Sequence, residues 1–449
     1  MIKSMTEGRP WKLILQFALP VIAGNVFQQF YNIVDSVIVG RMLGVNALAA
    51  VGSTTGLIFV TIGLVNGMTS GFGILISQSF GAKDEAALRR YTVMSFELSI
   101  VIAVVLSLVM CVCNVPILRL MNTPQEIIGQ TAAYIGVIYA GLIATFFYNM
   151  LAAFARALGD SRTPLYFLIF SSVLNIGLDI GIIAVLHTGV GGAAVATVIS
   201  QAVSAVLCFF YIKKKYSFLR LTRGDIRPDG ASAAKLMRLG TPMALQFSIT
   251  GLSVVVVQSF LNLLGPVSIA AYSAAGKIHN VVAQAFPALG VATATYVGQN
   301  NGAGRMDRVR SGVWSVQIIV LVFSVICGGL VLLFGDAAAR LFVTERTDEV
   351  IPAVRQYLHI AIWFYPFLGT IFVYRNALQG LGYGLVPMLG GVFELAARSL
   401  AAWFLARPFG YVGVCFSDPC AWVSALIPLI PVYYYQMRRQ KEGSPCIKR

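Results

Sequence analysis

Asp35 lies in the stretch Asn25–Gly44, NVFQQFYNIVDSVIVGRMLG, which otherwise has the composition of a helix buried in lipid. Asn25, Gln28, Asn32 and Asp35 recur at intervals of three and four and so share one helical face, while Phe27, Phe30, Ile33 and Val37 fill the rest. A carboxylate at that depth costs at least about 2.5 kcal/mol unless it faces protein, a partner or a water cavity. The polar face therefore implies a cavity. Asp179 repeats the pattern, with Asn175 one turn before it and Ser171 and Ser172 two turns before. Two carboxylates brought together away from water cannot both stay ionised cheaply, so an Asp35–Asp179 pair is expected to hold a proton or a Na⁺. Exchanging that ion would change the charge met by a cationic substrate. The plainer alternative, that each Asp caps a neighbouring helix or binds a hydroxyl, is the less common fate of an intramembrane acid.

Other polar positions inside apolar stretches are Gln246, Thr250 and Ser253, and further on Glu394 and Arg398. Gln28, Asn32, Gln246, Thr250, Glu394 and Arg398 are the candidate lining of a substrate cavity. Glu394 and Arg398, four residues apart, are expected to form a local ion pair. Glu97 sits near enough to Arg89 and Arg90 to snorkel towards water. His279 is expected to be neutral and hydrogen-bonded, since no second His or Cys accompanies it or Lys277 at ligand spacing. Phe146, Phe147, Tyr148, Trp363, Phe364 and Tyr365 offer faces for flat cations, though core or interfacial packing accounts for most of them. There is no G-x-x-x-x-G-K-[ST], H-E-x-x-H or G-x-S-x-G, so neither a nucleotide motor nor a hydrolase is expected. The chain is expected not to be an enzyme and to need no cofactor beyond a coupling ion, H⁺ or Na⁺.

The elements that must hold these residues are legible from composition. The 449 residues are 57% hydrophobic and 11% charged, with a mean hydropathy of +0.79; a soluble domain carries about 25% charged residues. A polytopic, all-α membrane protein is expected, anchored in the cell membrane. Apolar runs broken by Gly, Pro or charge mark twelve spans: 13–40, 47–80, 91–115, 126–154, 163–187, 190–213, 236–264, 267–299, 312–335, 350–379, 386–406 and 410–437. The runs are continuous, which excludes the alternation of a membrane β-barrel. The first is too long for a signal-peptide core and is expected to stay. With twelve spans and both termini cytoplasmic, about 25 of the Lys and Arg residues fall inside and about six outside, so positive-inside bias accounts for the net charge of +15 without nucleic acid. The densest basic cluster, Lys213, Lys214, Lys215, Arg220, Arg223 and Arg227, suits anionic lipid. The seven cysteines show no redox or zinc spacing and read as packing residues.

Slid against itself by about 222 residues, the chain repeats. Pro20 meets Pro242, V45-N-A-L-A49 meets V267-S-I-A-A271, and S77-Q-S-F-G-A82 meets G298-Q-N-N-G-A303. Leu158-Gly159 with Pro164 meets Leu381-Gly382 with Pro387, and G189-V-G-G192 meets G410-Y-V-G413. Each half holds six spans, so the expected architecture is two pseudo-symmetric six-helix bundles, residues 1–218 and 219–449, with Lys213–Gly230 as the linker. Bundles in the same orientation suit alternating access to a site at their interface. In this register Val257 stands at the place of Asp35, so the ion site is expected in the first half alone.

F30-Y-N-I-V-D-S-V-I-V-G-R-M-L-G44 with A47-L-A-A50, the loops S77-Q-S-F-G-A82 and V297-G-Q-N-N-G-A303, A157-L-G-D-S-R-T-P164 and N175-I-G-L-D179 together resemble the multidrug and toxic compound extrusion (MATE) family. The resemblance covers nearly the whole chain. It implies export of cationic or amphipathic small organic compounds in exchange for H⁺ or Na⁺, by a protein taken here as a monomer. It places the cation-coupling residues at Asp35, Asn175 and Asp179, with Na⁺ as a candidate ligand of those three, and the supporting tyrosine and threonine at Tyr134 and Thr197. The carboxylate that part of the family carries on helix seven is missing from span seven, which disfavours a Na⁺ site in the second half. The alternative is a lipid-linked oligosaccharide flippase of related architecture, which would need several basic residues lining its cleft. A membrane transferase, the third reading, would need Mg²⁺-binding carboxylate clusters that the chain lacks.

Overall fold

A computed structural model describes residues 4–186, 188–216, 229–343 and 346–441. Every regular element among them is a helix, the one backbone arrangement besides a closed barrel that satisfies its own N–H and C=O groups in lipid. Three long helices, α1 (Pro10–Leu43), α2 (Val45–Gly81) and α3 (Glu85–Leu120), precede a broken one, α4 (Gln125–Ala140) and α5 (Leu142–Ala157), bent by 48° at Gly141. The first half closes with α6 (Arg162–Leu186) and α7 (Gly189–Lys215). The second half runs through α8 (Gly230–Leu263), α9 (Pro266–Ala283), α10 (Ala285–Gly302), α11 (Met306–Arg340), α12 (Thr347–Gly380), α13 (Leu385–Phe409), α14 (Tyr411–Cys415) and α15 (Ser417–Lys441). Among the described residues eleven segments are long and apolar enough to cross a membrane, twelve with the bent pair counted as one crossing. Each expected span falls on one of them, and most run several residues past the expected limits. The basic cluster's Arg220, Arg223 and Arg227, most of the linker, and Cys446 lie outside the described residues.

The internal repeat reappears as backbone geometry. Left-handed turns stand at Gly44 and Gly265, at Lys83 and Gly304, at Gly159 and Gly382, and at Gly189 and Gly410, each pair at the repeat spacing. Large apolar side chains such as Leu333, Trp363 and Phe404 are exposed along the helices, as lipid contact requires.

The helices sort into two compact units, but not at the boundary expected near residue 218. One unit is Ala23–Ala244; the other is Ser4–Ile22 together with Leu245 onward. The first part of α1 thus belongs to the second unit, and the first part of α8 to the first. The hydrogen bonds give the reason. The segment before α1 is tied to the α10–α11 turn: Met5 N donates to Gln299 Oε1 (2.8 Å), Asn300 Nδ2 to Met5 O (3.1 Å), Arg305 Nη1 to Thr6 O (2.9 Å) and Arg308 Nη2 to Gly8 O (2.9 Å). In the first unit Gly71 faces Gly240 so closely that a Cβ at 71 would lie 2.6 Å from the Gly240 Cα, and Gly67 meets Ala244 in the same way. Small residues one turn apart let the two backbones approach.

The turn between α5 and α6 is held by Asp160. Its carboxylate accepts from Thr163 N (3.1 Å), Lys215 Nζ (2.6 Å) and Tyr216 OH (2.8 Å). Burial alone would push the Asp160 carboxyl up, but these donors outweigh it and hold the group below the usual carboxylate range.

Candidate functional site

In the first unit α1 and α6 bring Asp35 and Asp179 together, with their carboxyls within hydrogen-bonding reach of each other. Asp179 is fully buried and Asp35 half-buried. Asn175, one turn before Asp179, has its amide orientation set by its partners. Its nitrogen faces Asp179 Oδ2 (2.9 Å) and the Tyr31 hydroxyl (2.7 Å), and its oxygen accepts from the Thr197 backbone N–H (3.0 Å). Tyr134 on α4 is buried beside the pair, near enough to feel both charges. The five residues expected to act together, Asp35, Asn175, Asp179, Tyr134 and Thr197, thus form one cluster.

Asn175 turns its amide nitrogen towards Asp179, so in this arrangement it donates a hydrogen bond to that carboxyl. Tyr31, four residues before Asp35 and therefore on the same helical face, is a member of the cluster that the sequence analysis does not single out. Asp179 Oδ1 is buried and meets no donor among the described residues. An acceptor left bare in a dry interior is costly, and a proton or small cation at that oxygen would offset the cost.

The cavity candidates divide. Gln28 and Asn32 lie on the open side of α1, where Gln28 Nε2 donates to Asn32 Oδ1 (3.2 Å). Gln246 is buried and accepts from Gln379 Nε2 (3.1 Å), while Thr250 turns its hydroxyl back onto Gln246 O (3.0 Å). Glu394 and Arg398 do not form the local pair expected of them. Both are buried, and each finds a partner on another helix: Glu394 pairs with Arg375 of α12, and Arg398 Nε lies 3.1 Å from Asp418 Oδ1 of α15. Each charge is met across a helix contact rather than along its own helix. Asp418 is a site residue that the sequence analysis does not single out, although it stands inside the expected span 410–437.

Around that pair the second unit builds a polar cluster of its own. Tyr272 OH and Tyr357 OH both donate to Asp418 Oδ2 at 2.9 Å, and Arg398 Nη1 donates to Ser253 Oγ. His279 is hydrogen-bonded as expected, with Nδ1 3.3 Å from Tyr365 OH and its ring stacked on Trp422. Tyr365 and Phe146 are core residues, whereas Trp363 faces outwards at 75% exposure, so these aromatics do not form one cavity wall.

A chain of membrane-crossing helices with a pair of acids in one half and a closed salt-bridge cluster in the other is a polytopic membrane protein. The family profile described as MatE matches residues 20–180 and 242–403. Over 452 residues the chain is 30% identical to the Bacillus subtilis (strain 168) protein named "Probable multidrug resistance protein YoeA", covering 98% of this chain and 96% of that one. It is 26% identical to the "Probable multidrug resistance protein NorM" of Thermotoga maritima, over 93% of this chain and 89% of that one. The solved structure described as "Outward-facing conformation of a multidrug resistance MATE family transporter of the MOP superfamily" superposes with a TM-score of 0.90 at 22% identity, over 98% of both chains. The chain belongs to the MATE family of transporters.

Proposed function

We propose that the protein is a secondary antiporter that exports cationic or amphipathic small organic compounds by alternating access, driven by inward movement of H⁺ through the Asp35–Asp179 pair. The observation that carries this is the pair itself: two carboxyls within hydrogen-bonding reach, one with a buried oxygen that no donor meets. Asn175, Tyr31 and Tyr134 surround it with donors, an environment suited to a carboxyl that gains and loses a proton. A Na⁺ would need about six oxygen ligands, as hard cations do, and the amide of Asn175 is turned the wrong way to supply one. The names of the relatives as multidrug resistance proteins support the substrate class. In this reading it works in the cell membrane as a monomer with both termini cytoplasmic.

Flipping of a lipid-linked oligosaccharide fits less well. Its pyrophosphate would need free basic side chains, whereas Arg375 and Arg398 are already neutralised by Glu394 and Asp418.

The test is efflux of a fluorescent cation from proteoliposomes with a pH gradient or a Na⁺ gradient imposed separately. The pH gradient alone is expected to drive efflux, and Asp35→Asn or Asp179→Asn to abolish it. Full gradient-driven efflux by either variant would overturn the assignment, and efflux driven by Na⁺ alone would overturn the choice of ion.

A further inference from the structure

The residues around the acid pair, slid by the repeat spacing, land on the closed cluster of the second unit. Tyr31 meets Ser253 in the register that pairs Pro20 with Pro242. In the register of Leu158-Gly159 with Leu381-Gly382, Tyr134 meets Tyr357 and Asn175 meets Arg398. Thr197 meets Asp418 in the register of Gly189 with Gly410. These four counterparts touch one another through the Arg398–Asp418, Arg398–Ser253 and Tyr357–Asp418 contacts, and the first two of these match the Asn175–Thr197 and Asn175–Tyr31 contacts of the first unit. The two acids themselves have no acidic counterpart: Asp35 meets Val257 and Asp179 meets Ala402. Where the first unit has two acids and no basic side chain at the Asn175 position, the second has one acid and a guanidinium fixed to the chain.

We propose that Arg398 is a tethered counter-ion that permanently fills a cation site in the second unit, with Asp418 as its anionic ligand, Ser253 as a second oxygen, and Tyr357 and Tyr272 holding the other oxygen of that carboxylate. The second unit then stays cation-loaded throughout the cycle, leaving exchange to the first. That last consequence rests on the reading of the Asp35–Asp179 pair as the coupling site; the occupancy of the Asp418 site does not.

The physical case is one of burial and donor chemistry. The Arg398 and Asp418 side chains are only 8% and 13% exposed, and a buried carboxylate stripped of its partner is strongly disfavoured. Removing the guanidinium leaves a carboxylate and a serine hydroxyl facing the vacated space, with two phenols orienting that carboxylate; carboxylate and hydroxyl are hard oxygen donors of the kind that bind small alkali cations. The other charged or titratable groups in this neighbourhood are Glu394, itself paired with Arg375, His279 and the buried thiol of Cys415. A pair that only fastens α13 to α15 would leave no such site.

The experiment uses full-length protein carrying Asp35→Asn and Asp179→Asn, which silences the first-unit acids, and reads thermal unfolding and ²²Na⁺ binding in NaCl against matched choline chloride. Adding Arg398→Asn is expected to produce Na⁺-specific, saturable stabilisation and binding that the parent lacks. Adding Asp418→Asn to that variant is expected to abolish both and to recover stability. A folded Arg398→Asn variant with no Na⁺-specific response, or a response that survives Asp418→Asn, would overturn the proposal. If Arg398→Asn cannot be purified in choline, its monodisperse yield is compared after extraction in Na⁺ and in choline: recovery in Na⁺ supports the proposal, and equal loss in both overturns it. Arg398→Lys, which keeps a fixed positive charge, is expected to remain independent of Na⁺. None of these readouts involves efflux, so failure here leaves the transport reading intact, and failure of Asp35→Asn to block efflux leaves this one intact.

Discussion

Asp179 depends on what surrounds it more than on its own charge. The Asn175 amide is held between the Asp179 carboxylate, the Tyr31 hydroxyl and the Thr197 N–H, so the acid meets a donor of fixed direction. Tyr31→Phe removes one of those partners and leaves the ring. A hydrogen bond contributes about 0.5–1.5 kcal/mol net, so the proton dependence of efflux in proteoliposomes is expected to weaken by roughly 2- to 10-fold without abolishing transport. Glu394 presents the opposite case. It and Arg375 are both nearly inaccessible, and Glu394→Gln leaves a guanidinium buried without its counter-charge. Loss of one partner of such a pair costs about 3–5 kcal/mol, so this variant is expected to unfold at a markedly lower temperature than wild type. Replacing Arg375 and Glu394 together by Met is expected to restore most of the loss.

Helix ends and helix contacts set where these residues stand. Asp160 caps the first turn of α6, the helix that carries Asn175 and Asp179, and ties it to Lys215 and Tyr216 at the end of α7. Because the folded carboxyl is held below its ordinary range, its stabilisation is complete above the unfolded value, about 3.9, and is lost as pH falls through the lower folded value. Asp160→Asn is therefore expected to lower stability by about 1.5–3 kcal/mol at neutral pH, the range for hydrogen bonds to a charged group. The gap to wild type should narrow only in strong acid, which unfolding midpoints across a pH series would show. A gap independent of pH would mean that the charge of Asp160 contributes nothing.

At the scale of the whole chain, the repeat explains both likeness and asymmetry. Four pairs of left-handed turns recur at the repeat spacing, yet the equivalent interior regions hold two neighbouring acids in one unit and a closed salt bridge in the other. The orientation proposed for the membrane also belongs to this scale. The turns at Lys83, Asp160 and Arg305 carry most of the basic neighbours, while those at Asn122 and Gly265 carry few. In a cysteine-free background, a cysteine at Lys83 is expected to react with an impermeant maleimide only after the membrane is opened. One at Asn122 should react in intact cells. The reverse pattern would invert the topology.

Several features were decided by the sequence alone. Twelve apolar runs, their repeat and the two acids inside them follow from local composition and spacing, because a bilayer demands continuous apolar helix and tolerates a carboxylate only where something receives it. Asp35, Asn175 and Asp179 were legible for that reason, and Tyr134 and Thr197 through the family pattern. Tertiary structure alone decided which charge meets which. Glu394 and Arg398 are neighbours on one helix yet pair with Arg375 and Asp418 on two others, because partners are chosen by the packing of helices that sequence spacing does not encode. The same holds for the Asn175 amide, whose direction is set by Tyr31 and Thr197. It holds again for the division of α1 and α8 between the two units, fixed by a strap bonded to the α10–α11 turn and by glycines that let two backbones touch.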